Sequence, residues 1–246
     1  MRSPINIGTC GFGRTKGEYV ELLNCVEIQH TFYQPPQIKT LEKWRQEAPD
    51  AFEFTLKAWQ LITHEAKSPT YKRLKRKLSE TELAEAGYFK PTPIVKEAWE
   101  ITLASARALK AKTVLLQCPA SFRPLTENVE NFRRFLTTID RGGLNLAWEP
   151  RGKWPAELVA EFCRELDLWH AVDPFETASV TRDRCYFRLH GRGGWRYKYD
   201  DGELEELATM LPRDGNPYVF FNNREMFDDA MRFERIVKEG STDDCL

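Results

Sequence analysis

Three carboxylates, Glu27, Glu149 and Asp173, stand at or just past the ends of short apolar runs, and each run pattern also supplies a cation. Lys57 follows the run 52–56, Arg151 lies two residues beyond Glu149, and Arg188 sits inside the run 185–189. Carboxylates held beside cations and partly desolvated can be tuned apart in pKa, which is what a general acid and a general base in one hydrolase or lyase site require. The same residues would equally make structural ion pairs, and a buried ion-pair network perturbs pKa values too.

A second pattern concerns anions. Arg188 and Arg192 bracket His190, and glycines 191, 193 and 194 lie between and after them. Guanidinium forks and backbone N–H groups fit a tetrahedral anion, so Arg188, Arg192 and Lys57 are candidates to neutralise a phosphate, with Arg151 orienting the substrate or Glu149. Period-two alternation points Arg188 and His190 to the same side of a strand. Glu149 with Asp173 or His190 would move protons. Gln117, His64, Asn222 and Asn223 add polar groups at other run ends, and Tyr33, Trp154, Trp195, Tyr197 and Tyr199 could form a stacking platform beside the cations, as in single-strand nucleic-acid binders. Packing explains each of these rings equally well.

Other chemistries are poorly supplied. Of four histidines, His170 lies within an apolar run and reads as a core residue, which leaves a multinuclear metal site short of ligands; no metal or other cofactor is expected. No P-loop, dinucleotide fingerprint or Gly-x-Ser-x-Gly elbow occurs. The six cysteines (10, 25, 118, 163, 185 and 245) show no CxxC spacing and read as reduced, mostly buried small hydrophobes.

The elements that must position these residues are legible as periodicities. Eight apolar, β-branched or aromatic runs (5–8, 25–28, 52–56, 113–116, 144–148, 168–172, 185–189 and 218–221) alternate with helical patterns such as Val95, Trp99, Leu103 and Ala106, or Leu158, Phe162 and Leu166. Thr126 reads as a helix cap and Pro155 as a first helical residue. Eight alternating units imply a single α/β domain over 1–246, a (β/α)₈ TIM-type barrel, whose strand ends carry the chemistry. The link 174–184 is short and only faintly helical. The long insertion after strand three, 59–93, contains the basic run Tyr71 to Lys77, which reads either as a solvated helix face or as a lid or anion-facing arm over the site. The tail from Ser241 to Leu246 is expected to fray.

Across 246 residues the formal net charge is −1, so the global footprint of a nucleic-acid binder is missing, although a local basic patch is compatible with it. No apolar run approaches the roughly 18 residues of a membrane span. The opening residues lack the basic, apolar, small-residue order of a signal peptide, so a cytoplasmic protein without membrane partners is expected.

The segments IGTCGF, VEIQHTFYQPP, FEFTLK with TH, LLQCPASF, AWEPRGKW, VDPF, YFRLHGR and VFFNN follow one another from about Ile5 to Val237. In this order they resemble the motif series of the domain-of-unknown-function 72 family, the YecE-like proteins. Gln29-His30 stands where that family usually has Asn and a small hydroxyl residue. The resemblance implies a TIM-type barrel and no established activity. Together with the residues, it leads to an expected enzyme acting on an anionic substrate, a phosphate-bearing small molecule, nucleotide or nucleic acid, at the carboxyl face of the barrel. The alternatives are a non-catalytic nucleic-acid binding module using the basic run, or a metal-dependent phosphodiesterase or endonuclease-like barrel.

Overall fold

The computed structural model describes residues 5–212 and 214–243, with side chains to 240. Eight parallel strands, β1 (Asn6–Cys10), β2 (Cys25–Ile28), β3 (Glu53–Lys57), β4 (Thr113–Gln117), β5 (Asn145–Glu149), β6 (Leu168–Val172), β7 (Tyr186–Leu189) and β8 (Tyr218–Phe221), follow one another in chain order around a closed barrel. The apolar runs locate every strand. Four strands extend further than their runs at the carboxyl end: β1 reaches Cys10, and Lys57, Gln117 and Glu149 are the last residues of β3, β4 and β5.

The chain divides into two compact units. The first comprises the described residues up to Glu27, Ala48–Glu53, and those from His170 onward. In it β1 pairs with β2 and β8, setting Cys10 opposite Glu27, and β7 pairs with β8. Gly8 is where β1 and β2 touch, since a Cβ there would lie 2.1 Å from the Cys25 carbonyl oxygen. Helix α1 (Lys16–Leu22) is anchored by buried Tyr19, whose hydroxyl donates to the Cys25 carbonyl oxygen (2.9 Å) and accepts from the Thr9 amide (2.8 Å). The link between β6 and β7 carries no helix, and in its place lies a groove of about 440 Å³ lined by Pro174, Ser179, Arg182 and Phe187.

The second unit holds Ile28–Glu47 and Phe54–Trp169. It opens with α2 (His30–Tyr33) and α3 (Ile38–Gln46). Strands β4 and β5 pair in full register, Gln117 opposite Glu149. Outside them α6 (Pro93–Leu109), α7 (Thr126–Thr138) and α8 (Ala156–Glu165) bury Val95, Trp99, Phe132, Phe135 and Phe162, as their 3.6-residue spacing requires. Thr126 is the first residue of α7 and makes no cap bond, and Pro155 is the cap rather than the first turn of α8, each displaced by one position from the sequence reading.

The insertion after β3 consists of α4 (Gln60–Thr63), a 3-10 turn (Pro69–Arg73) and α5 (Glu80–Glu85), the last started by a Ser79–Glu82 capping box. It seats on the loop that follows β2, hence at the carboxyl ends of this unit's strands. The backbone N–H groups of Lys75 and Arg76 both donate to Gln34 Oε1 at 3.2 Å, and Gln60 Nε2 donates to the Tyr33 carbonyl oxygen at 2.9 Å. The basic run is therefore not a helix face: after the 3-10 turn its amides are spent on Gln34 instead of on a helical ladder.

In the first unit, α9 (Asp201–Met210) and α10 (Met226–Asp243) complete the element order. The helix α10 continues through Asp243, where fraying was expected; 244–246 lie outside the described residues. Cys10, Cys25, Cys118, Cys163 and Cys185 are buried free thiols, and Cys245 lies outside the described residues. No helix among the described residues is long and apolar enough to cross a membrane.

Candidate functional site

In the second unit, parallel pairing brings the last residues of three neighbouring strands into one hydrogen-bonded chain. Alternation turns Lys57, Gln117 and Glu149 to the same side as Thr55, Leu115 and Ala147. Lys57 Nζ donates to Gln117 Oε1, Gln117 Nε2 donates to Glu149 Oε2 (2.8 Å), and Arg151 Nε donates to Glu149 Oε1 (2.9 Å). Lys57, Gln117 and Glu149 are buried, whereas the Arg151 side chain is 43% exposed. The Lys57 ammonium also lies 3.5 Å from the centroid of the Phe32 ring, a cation–π contact of about 2 kcal/mol when desolvated.

His64 belongs to this group. Its Nδ1 is 2.7 Å from Thr63 Oγ1, its ring meets Phe32 edge-on at 4.9 Å, and the Tyr71 hydroxyl donates to its carbonyl oxygen at 2.7 Å. Burial, then the charges of Lys57 and Arg151, pull its pKa down to about 3, so the imidazole is neutral at neutral pH. A Thr63 hydroxyl donating to Nδ1 leaves the ring proton on Nε2, as a hydrogen-bond donor. Two cations, Lys57 and Arg151, and a neutral imidazole donor thus stand with one carboxylate at these strand ends.

The first unit contains a different arrangement. Glu27 is fully buried; its Oε2 accepts from the Tyr186 hydroxyl (2.7 Å) and Arg188 Nε (3.0 Å), and its Oε1 accepts from Arg188 Nη2 (2.8 Å) and the Cys10 thiol (3.2 Å). Burial alone would push this carboxyl up, but the charge of Arg188 and the hydrogen bonds from Arg188, Tyr186 and Cys10 hold it below the ordinary carboxylate range. Burial pushes the Cys10 thiol well up, so it stays a neutral S–H donor. These contacts make Glu27 and Arg188 a bidentate buried pair.

Asp173, just past β6, accepts from the His190 amide (2.8 Å) and the Phe175 amide (3.1 Å), and burial raises its pKa despite those bonds. Asn222 Nδ2 lies 3.1 Å from His190 Nδ1; an amide donating there places the imidazole proton on Nε2. Asp173, His190 and Asn222 thus form a local polar trio at the ends of β6, β7 and β8. His170 is a core residue as expected: its amide donates to Thr181 Oγ1 and its Nδ1 accepts from the Val180 amide.

Several expected contacts do not form. Arg188 and Arg192 make no common anion clamp, because Arg188 is committed to Glu27 while Arg192, 43% exposed, pairs with Glu203 (3.2 Å) and Glu206 (3.8 Å) and lies over Phe175. Gly191 gives its missing Cβ to its own loop rather than to a ligand: its φ is +87°, and a Cβ would stand 2.5 Å from the Gly194 carbonyl oxygen. The aromatic platform dissolves into separate roles. Tyr199 is buried and accepts from the Gly191 amide, Tyr197 donates to Glu203, Trp195 is 58% exposed, and Trp154 packs on Trp148 and Phe122 while donating to the Phe122 carbonyl oxygen. Tyr33 carries the Arg73 guanidinium 3.4 Å above its ring centroid. Asn223 binds the Tyr197 carbonyl oxygen and Asp229, a brace for its loop.

Three participants escaped the sequence reading. Tyr186 and Cys10 share alternation phase with Arg188 and Gly8, so period two carried a signal for both. Gln60, fully buried and holding the Tyr33 carbonyl, left no such signal. Among the described residues no cluster of three or more His, Cys, Asp or Glu is placed to hold a metal ion.

The sequence profile of the family described as protein of unknown function DUF72 matches residues 15–243. The chain belongs to the DUF72 family. A solved DUF72 protein from Enterococcus faecalis V583 is 19% identical, with a TM-score of 0.75 over 95% of each chain. Another, from Thermotoga maritima MSB8, is 22% identical, with a TM-score of 0.73 over 96% of this chain and 100% of that one. The barrel extends beyond DUF72 proteins: a xylose isomerase domain protein from Planctomyces limnophilus is 13% identical, with a TM-score of 0.58 over 98% and 97% of the two chains. No curated protein sequence matches this DUF72 chain significantly.

Proposed function

We propose that this protein is an enzyme acting on an anionic, phosphate-bearing substrate at the carboxyl ends of its strands, by general acid–base chemistry of the hydrolase or lyase type. The observation that carries this reading is the hydrogen-bonded chain of buried Lys57, Gln117 and Glu149, ending on the exposed Arg151, beside neutral His64. A substrate phosphate accepts from Lys57, Arg151 and His64 Nε2 in a low-dielectric site where such bonds are strong. Glu149, oriented by two donors, is the proton-moving group, and Gln117 couples its position to that of Lys57. Asp173, with its raised pKa, and His190 are the second candidate acid and base.

The test is turnover of a panel of nucleotides, sugar phosphates and phosphate diesters by the parent and by Glu149→Gln, which keeps the size and the Arg151 contact. The reading expects loss of about 10²–10⁴-fold in kcat, the usual weight of a general acid or base. Turnover indifferent to Glu149→Gln refutes it.

A further inference from the structure

We propose that the insertion after β3 is a polyanion-binding arm, and that the substrate entering the neighbouring site is one end of a single-stranded nucleic acid rather than a free metabolite. This rests on the preceding reading for the phosphate that enters the site.

The argument begins with unspent charge. Within 72–77 the side chains of Lys72, Arg73, Lys75 and Lys77 are exposed, and among the described residues none forms an ion pair. Arg76, between them, is half-buried and satisfied by Glu97 (2.7 Å) and Glu82 (2.9 Å). A surface stretch that only needed solubility would gain from interspersed acids; this one segregates its single neutralised cation inward and presents four unneutralised ones outward.

The segment is also held in place. Ser68 caps the 3-10 turn, Gln34 Oε1 takes the amides of Lys75 and Arg76, and Tyr71 bonds the His64 carbonyl oxygen. Little ordering entropy remains to be lost on binding. Arg73 stacked on Tyr33 makes a flat cationic surface next to the Phe32 ring, on which Lys57 rests. A path of contacts therefore runs from exposed Arg73, within the basic run, through Tyr33 and Phe32 to the buried Lys57.

Aromatic rings beside cations suit unpaired bases, which stack while their phosphates meet the lysines. A lipid surface fits less well, because binding there requires an apolar face to insert, and Leu74, between the cations, and Leu78, just after them, are half-buried.

The experiment measures binding of a fluorescein-labelled single-stranded dodecanucleotide by anisotropy between 50 and 200 mM salt, for the parent and for Lys75→Glu/Lys77→Glu. The same two proteins are melted with and without inorganic phosphate, and sedimented with vesicles of one part phosphatidylserine to three parts phosphatidylcholine. Both substituted side chains are exposed, so the fold is retained. The expected result is binding by the parent with a salt slope near −3, at about −0.7 per phosphate contacted, and a loss of at least tenfold in the variant with the slope shallower by about 1.4. The phosphate-induced shift in Tm should be common to both proteins. Oligonucleotide binding unchanged by the substitutions, with the phosphate shift present, overturns the arm and leaves the small-anion site standing. No phosphate shift in the parent, with arm-dependent oligonucleotide binding, overturns the site reading and the claim that the arm feeds it. Stronger capture by the vesicles than by the oligonucleotide overturns the choice of partner.

Discussion

Replacing Glu27 by Gln tests whether the buried pair in the first unit serves stability. Glu27 and Arg188 are 0% and 1% exposed, and the carboxylate accepts hydrogen bonds from Cys10, from Tyr186 and twice from Arg188. Glutamine offers one acceptor oxygen in place of two. In either amide orientation, NH₂ hydrogens face an Arg188 N–H and a second donor. Breaking a buried pair from one side costs about 3–5 kcal/mol, and at roughly 2–4 °C per kcal/mol for a chain of this size the Tm should fall by about 6–20 °C. Glu27→Gln/Arg188→Met should recover a large share of that loss, because no charge then lacks its counterpart. The pH dependence has a definite sign. The folded pKa of Glu27 is depressed, so its contribution is complete above the ordinary carboxylate value of roughly 4.3 and is lost as pH falls through the lower folded value; the Gln variant should lack that part of the acid limb. Denaturant melts of the parent, both single variants and the double variant supply the numbers. A Glu27→Gln loss below about 1 kcal/mol, the range of an exposed pair, would refute the reasoning.

Two further predictions address the site and its loop. His64, with a pKa of about 3, should show no imidazole titration by NMR between pH 5 and 8, and Lys57→Met should raise its pKa by removing the first charge that lowers it. Because the unfolded imidazole takes up its proton near 6.5, this residue should also draw stability down as pH falls from there toward 3. Gly191→Ala, at φ +87° with its Cβ forced to 2.5 Å from the Gly194 carbonyl oxygen, should destabilise by about 2 kcal/mol or more in a denaturant melt; an unchanged midpoint would show that the loop relaxes freely.

The barrel was legible because each of its strands is an apolar run ending in polar residues, a local pattern that needs no knowledge of partners. The chain Lys57, Gln117, Glu149 and Arg151 was legible as a set of strand ends, although the order of its hydrogen bonds depends on the β4–β5 register. Pairing between distant residues was not legible. Nothing local to the loop after β7 says that Arg192 meets Glu203 while Arg188 meets Glu27, 161 residues away. Ring residues mislead for the same reason: Trp154 and Tyr199 have the composition of a ligand platform, and only their tertiary neighbours convert them into packing.

The measurement that bears most directly on the central claim is the thermal shift of the parent with inorganic phosphate or a nucleotide, repeated for Lys57→Met and Arg151→Ala. A ligand at about 100 times its dissociation constant should stabilise the parent by about 2.7 kcal/mol, or roughly 5–11 °C at this chain length, and each substitution should remove most of that shift. A parent that melts at the same temperature with and without the anion, or variants that shift as the parent does, would contradict the anion site.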